Sequence, residues 1–196
     1  MIKKIKNKWV YLRAKYRQTF KTKVNKSLKK SDYSRWNKDK SFFSSWDERT
    51  QLLANQIKPN SIVFEFGAAK LNLKTMLPEG CSYLHSDIVK RADDTLVLDL
   101  NNELPSLSQV DYIVFSGVLE YVFEVKELLS HLSHYTNNFV FSYAVTDAFP
   151  EKGSRRLHGW VSDLSEIDVL DIAIEMQWKS TKLCTWKNQQ LFHFTK

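Results

Sequence analysis

No apolar run in the 196 residues approaches the roughly 20 needed to span a bilayer. The opening residues also lack the apolar centre of a secretory signal, so a cytoplasmic location is the expectation. Cysteine is scarce: Cys81 and Cys184 stand apart, in no CxxC or ligand-like spacing, which argues against a disulfide framework and predicts buried or half-buried thiols. A P-loop, an HExxH pair and a Ser-His-Asp order are all missing. His131 and His134, with Glu127 one turn earlier, are read as an exposed helical face, and no metal site is expected. Internal repeats and low-complexity tracts are missing as well.

One sign of charge is absent from one stretch altogether. Residues 1–30 hold twelve of the 29 Lys and Arg and none of the 22 Asp and Glu, leaving the remainder with 17 basic and 22 acidic side chains. The net charge of +7 therefore describes an appendage rather than the whole chain. Within that appendage Ile2, Ile5, Trp9, Leu12, Tyr16, Phe20, Val24 and Leu28 recur every three or four residues, the pattern of one long amphipathic helix. Two readings stay open for it: contact with an anionic surface, either the inner membrane leaflet or nucleic acid, or packing on its own domain or a second subunit. Residues 1–44 are read as this extension and a connection carrying Tyr33, Trp36, Phe42 and Phe43, and residues 45–196 as one domain with 43% hydrophobic content overall to fill its core.

The stretch that organises the domain is Ser61–Lys74, SIVFEFGAAKLNLK. An apolar strand runs into Glu65, Phe66 and Gly67, and no further glycine follows until Gly80. A strand that stops at a glycine and turns into a helix presents backbone N–H groups to a ligand. Before it, Ser45 and Glu48 fit a capping box for a helix with Trp46, Leu53, Ala54 and Ile57 on one face, ended by Pro59 and Asn60. After it, a short helix from about Ala69 precedes strands at Ser82–Ser86, Thr95–Leu98, Asp111–Ser116 and Phe139–Tyr143. The gap between the second and third strands is too short for an ordinary crossover helix. Helices are expected at Val125–Tyr135 and Ser165–Met176, a long substrate-facing loop at Ala144–Asp163, and a closing hairpin of Lys179–Trp186 with Gln189–Thr195. The fold class is α/β: a doubly wound, mostly parallel seven-stranded sheet with a C-terminal antiparallel hairpin, plus the N-terminal basic amphipathic helix. Ligands of such sheets bind beyond the carboxyl ends of the strands, where Glu65, Gly67, Asp87, Asp99, Ser116 and Glu120 all fall.

These residues resemble the class I S-adenosylmethionine-dependent methyltransferases over roughly residues 46–196. VFEFGAAK is similar to that family's first motif, SYLHSDIV to its second strand, TLVLDLN to its third, and DYIVFSGVLEYV to its fourth strand and following loop. The family's usual second and third glycines are replaced here by Ala69 and Leu71, which also departs from the GxGxxG of nicotinamide-binding proteins. The resemblance implies S-adenosylmethionine as cofactor, held by Glu65, Gly67, Ala68, Asp87, Ile88, Asp99, Leu100, Ser116 and Gly117. Asp87 stands in the place of the acid that takes the ribose hydroxyls, and Asp99 where an acid meets the adenine.

The fourth strand ends in SGVLEY rather than the DPPY or NPPY of families that methylate planar nitrogens, which favours an oxygen of a small-molecule, glycan or lipid-linked acceptor. His158 and Tyr143 are the catalytic candidates, and Glu120, Asp147, Arg155 and Arg156 the acceptor-side ones. His158 is read as a base or as a loop residue packed beside Trp160. A nucleic-acid methyltransferase and a non-catalytic interaction protein on the same scaffold remain as alternatives. With the basic helix, the location expected is cytoplasmic, peripheral at the inner membrane face.

Overall fold

The structure, a computed structural model, describes residues 2–38 and 42–196, without the side chains of residues 2–8, 10 and 11. Ile2 and Ile5 of the apolar repeat and residues 39–41 of the connection therefore lie outside the described side chains.

Helix α1 runs from Ile2 to Ser27 and a single turn, α2, from Tyr33 to Trp36. A 3-10 turn at Ser44–Trp46 leads into α3, Asp47–Ala54. The capping box predicted for Ser45 and Glu48 does not form, because the helix starts two residues later and the Glu48 carboxylate accepts from Trp186 Nε1 at 2.8 Å. The strands are β1 (Ile62–Phe66), β2 (Ser82–Asp87), β3 (Leu96–Val97), β4 (Tyr112–Phe115), β5 (Asn138–Tyr143), β6 (Lys179–Trp186) and β7 (Gln189–Thr195). The remaining helices are α4 (Asn72–Met76), α5 (Val125–Leu132), α6 (Lys152–His158) and α7 (Glu166–Glu175). Ser165 and Asp168 cap α7 reciprocally.

The seven strands form one sheet in the order β3-β2-β1-β4-β5-β7-β6, parallel throughout except for β7, which is antiparallel to β5 and β6. Alternate residues of each strand feed different cores. Phe64, Phe66, Phe115, Phe139, Phe141, Phe192 and Phe194 pack with Leu128, Leu129 and Leu132 of α5 and Val169, Ile172 and Ala173 of α7. On the other face Val63, Tyr112, Val114, Val140 and Leu191 pack with Leu53 and Ala54 of α3 and Leu73 of α4. Strand order reverses between β1 and β4, which opens a crevice above their carboxyl ends.

The short β2–β3 gap is closed without a helix. Thr95 Oγ1 accepts from the N–H groups of Arg91 and Ala92 at 3.1 and 2.7 Å, so one hydroxyl satisfies the turn that replaces the crossover. The segment Ala144–Asp163, expected as a loop, contains α6. Side-chain contacts within the segment hold it: the Arg155 and Arg156 guanidinia bind backbone carbonyls and Asp163 across the turn, and no apolar periodicity announces that.

Candidate active site

At the end of β1, Gly67 takes a positive φ of 69°, and a Cβ there would sit 2.5 Å from Val118 Cγ2, so glycine is required for close approach. The N–H groups of Gly67 and Ala68 both donate to Ser86 O, locking the turn to β2. Ala69 (φ 49°) and Leu71 (φ 61°) hold left-handed backbone as well. The loop thus follows the path glycines would take, at about 1–2 kcal/mol of strain per residue. Leu71 caps the start of α4 and is not among the cavity-lining residues, so its branched side chain does not occupy the crevice.

Asp87, buried at the end of β2, accepts from Ala69 N at 2.9 Å on Oδ2, and from Val89 N and an Arg91 guanidinium nitrogen at 3.2 and 3.1 Å on Oδ1. A carboxylate offers about four acceptor positions, so among the described residues Asp87 retains one. Asp99 is fully engaged. Ser31 Oγ and Asn101 N donate to Oδ1 at 2.7 and 3.1 Å, and Tyr33 Oη and Asn102 Nδ2 to Oδ2 at 2.9 and 3.0 Å. Two of those donors come from the N-terminal connection, which forms part of the crevice wall. Arg91 joins the same wall: it also donates to Trp36 O at 2.8 Å and lies 4.7 Å from the Phe42 ring centroid.

At the end of β4, Ser116 Oγ shares a hydrogen bond with Thr50 Oγ1 at 2.8 Å, and the Arg49 guanidinium donates to Ser116 Oγ, Ser116 O and Gln189 Oε1 at 3.2, 2.9 and 2.7 Å. Arg49 is buried between Trp46 and Trp186, 5.7 and 5.6 Å from their ring centroids. Gly117 N donates to Ser142 Oγ at 2.9 Å. Arg49, Thr50 and the tryptophan pair were missed from the sequence. The signal was present, because Arg49 and Thr50 stand three and four residues after Trp46 and so share the apolar face of α3.

Glu65 is also buried and accepts from Tyr83 Oη. Burial, with the neighbouring Asp87 charge adding to it, pushes its carboxyl up to about 8, although Tyr83 and Arg49 pull the other way. The folded state therefore holds a proton on Glu65 that the unfolded chain gives up near 4.5. Stability is expected to fall as pH rises from about 4.5 to about 8, by at most roughly 1.4 kcal/mol per unit, and to level off above. Denaturant titrations of wild type and Glu65→Gln across that window check this. Identical pH profiles would sink it.

These strand ends meet in one cavity of about 320 Å³, large enough for a nucleoside-sized ligand. Glu65, Gly67, Ala68, Asp87, Ile88, Asp99, Leu100, Ser116 and Gly117 all line it. Trp36, Phe42, Tyr121, Phe149, His158 and Trp160 line it as well. His158 stacks on Trp160 at 4.8 Å and meets Phe149 edge-on at 5.6 Å, so base-like placement and packing beside Trp160 coexist. Burial and the Arg35 charge lower its pKa, which keeps the imidazole neutral near pH 7 and able to take a proton.

The other acceptor-side candidates are placed elsewhere. Tyr143 is fully buried, with Oη bonded to Ser162 Oγ at 2.6 Å and accepting from Leu164 N at 3.1 Å. Glu120 is buried behind the wall, where Oε1 accepts from Ala144 N and Gln189 Nε2. Asp147 accepts from Glu166 N at 2.7 Å and ties down the start of α7. Arg155 and Arg156 are buried on Asp163 and backbone carbonyls, so neither presents its charge to a ligand. In each case a partner elsewhere in the chain, invisible in the local sequence, absorbs the group.

No family model and no curated protein matches the sequence. Solved structures match the fold. The Burkholderia thailandensis 1,6-didemethyltoxoflavin-N1-methyltransferase, solved with 1,6-didemethyltoxoflavin and S-adenosylhomocysteine, superposes with a TM-score of 0.57 at 12% identity, over 78% of each chain. The N-terminal domain of EvdMO1 with bound S-adenosylhomocysteine gives 0.60 at 14% identity, over 78% of this chain and 82% of that one. A TehB-like S-adenosylmethionine-dependent methyltransferase from Corynebacterium glutamicum gives 0.55 at 15% identity, over 76% and 86%. The chain has the class I S-adenosylmethionine-dependent methyltransferase fold.

Proposed function

We propose that the chain transfers the methyl group of S-adenosylmethionine to an oxygen of a small-molecule or glycan acceptor. The observation that carries this reading is the convergence of Gly67, Asp87, Asp99 and Ser116, from the ends of four strands, on one cavity that aromatic side chains also line. The residues fit such a cofactor. Gly67 makes the tight turn beside Val118 that a Cβ would prevent, Asp87 retains an open acceptor position among the described residues for a sugar hydroxyl, and Arg49 beside Ser116 offers a guanidinium for a carboxylate. When bound, the cofactor supplies a methyl group on a sulfonium. The chain's own work is to hold an acceptor in line, which accounts for most of the rate such enzymes gain, and to receive a proton. An acceptor hydroxyl held in line would take that methyl group and give up its proton. The hydroxyl proton passes to the neutral His158 ring. The aromatic wall of Trp36, Tyr121 and Trp160 suits a planar or sugar ring.

Calorimetric titration with S-adenosylhomocysteine tests the cofactor half, and transfer of labelled methyl to a panel of phenols and sugars tests the acceptor half. No saturable binding would remove the first, and binding with no transfer the second. Because Tyr33 holds one of the four acceptor positions of Asp99, Tyr33→Phe is expected to bind S-adenosylhomocysteine about fivefold tighter, the release of one competing hydrogen bond of ~1 kcal/mol. Weaker binding by Tyr33→Phe would mean that the hydroxyl assists the ligand instead of competing with it.

A further inference from the structure

Helix α1 sits on the domain with its polar side inward. Thr22 is buried, Thr22 and Asn25 line the cavity, Lys26 reaches Asp163 at 2.8 Å, and Lys21 bonds Asp32. The apolar row points the other way. Trp9 is 70% exposed, Tyr16 71% and Phe20 57%, and Leu12, Val24 and Leu28 are exposed with them. A helix stabilised only by its own domain would bury that stripe, as the apolar face of a surface helix normally turns toward the core. Here the surface packed on the domain is the hydrophilic one.

We infer that the outward stripe of α1 is a docking surface for an anionic phospholipid bilayer. Trp9, Leu12, Tyr16, Phe20 and Val24 follow one another at three- and four-residue steps, so they form a single apolar line about 22 Å long. Exposed Arg13, Arg17 and Lys23 flank it, and no acidic residue occurs anywhere in residues 1–30. Apolar side chains that enter the acyl boundary between basic ones that meet lipid phosphates make an interfacial helix. The charge pattern argues against a second copy as the occupant, since two such helices would face each other with like charges and no acid to pair. It argues against nucleic acid too, because Leu12 and Val24 gain nothing in a phosphate groove. No described helix is long and apolar enough to cross a membrane, so the helix lies on the surface. Thr22 and Asn25 on its far side place the cavity about one helix diameter, ~10 Å, from the bilayer.

The inference is independent of methyl transfer and is read without activity. In co-sedimentation, the full chain is expected to bind vesicles of phosphatidylcholine with phosphatidylglycerol far better than pure phosphatidylcholine. Raising salt from about 0.1 M to about 1 M, which shortens the screening length from ~10 to ~3 Å, should weaken it. Leu12→Glu with Tyr16→Glu should lower the partition coefficient at least about tenfold on anionic vesicles. Arg13→Gln with Arg17→Gln should weaken only the anionic-lipid component. Both pairs are exposed, so unchanged circular dichroism is expected; should the Glu pair melt early, Trp9→Glu decides by the same readout. The inference is overturned if wild type binds neither vesicle, or if the Glu variants bind as wild type does. A salt-sensitive affinity for duplex RNA with no vesicle binding, or a dimer in sedimentation velocity that the Glu pair dissolves while vesicle binding is absent, would overturn it equally.

Discussion

Asp163→Ala is expected to unfold at a much lower denaturant concentration than wild type, with about 3–5 kcal/mol of stability lost, because it strands buried charge. Asp163 receives the Arg155 Nε–H at 2.9 Å, the Arg156 guanidinium, and Lys26 of α1 at 2.8 Å. Arg155 is fully buried and Arg156 nearly so, and neither can return to water without dismantling α6. The three cations hold the Asp163 carboxyl well below its ordinary value of 3.8, against the opposing effect of burial. A depressed carboxylate contributes stability that is complete above the unfolded value and is lost as pH falls. Wild type should therefore lose this contribution below about pH 3.8, while Asp163→Ala lacks it at every pH. Asp163→Asn, which keeps an acceptor but not the charge, should fall between the two. Equal stabilities of Asp163→Ala and wild type at pH 7 would show that the arginines are supported without it.

Asp87→Ala is expected to weaken S-adenosylhomocysteine binding at least about tenfold, the loss of one charge-assisted hydrogen bond of roughly 1.5 kcal/mol. The side chain sits buried at the tip of β2, between the β1 turn, which it holds through Ala69 N, and the cavity. Its removal deletes the open acceptor position and frees Arg91, which Asp87 and Trp36 O now fix. Calorimetry on protein shown by thermal melting to be folded separates ligand loss from unfolding. Asp87→Asn, which retains one acceptor oxygen, should lose less. A folded Asp87→Ala that binds as wild type does would remove Asp87 from the cofactor site.

The parts of this protein that were legible in its sequence are those set by neighbouring residues. The hairpin Lys179–Trp186 with Gln189–Thr195 appears at the predicted bounds, and β1, β2, β4 and β5 lie within a residue or so of theirs; the apolar runs of β1, β4 and β5 record burial on both faces. The short gap before β3 announced an irregular connection, but not that Thr95 would satisfy it. Helix α6 was illegible for a related reason: LHGW and SRR carry no period, and the helix exists because Arg155 and Arg156 find carbonyls and Asp163 across a turn.

By itself the sequence determined that acids and glycines would stand at successive strand ends above an α/β sheet, and that residues 1–30 would carry basic charge with no acid among them. Both are local patterns, written in spacing and composition. Only the tertiary structure decided which of those groups face the cavity: Asp87 retains an acceptor position, Asp99 is taken by Ser31 and Tyr33 some 68 and 66 residues away, and Arg49 reaches Gln189 across 140 residues. It also decided which face of α1 turns outward. A polar group's role depends on which partner satisfies it, and partners are brought together by the fold rather than by neighbouring sequence.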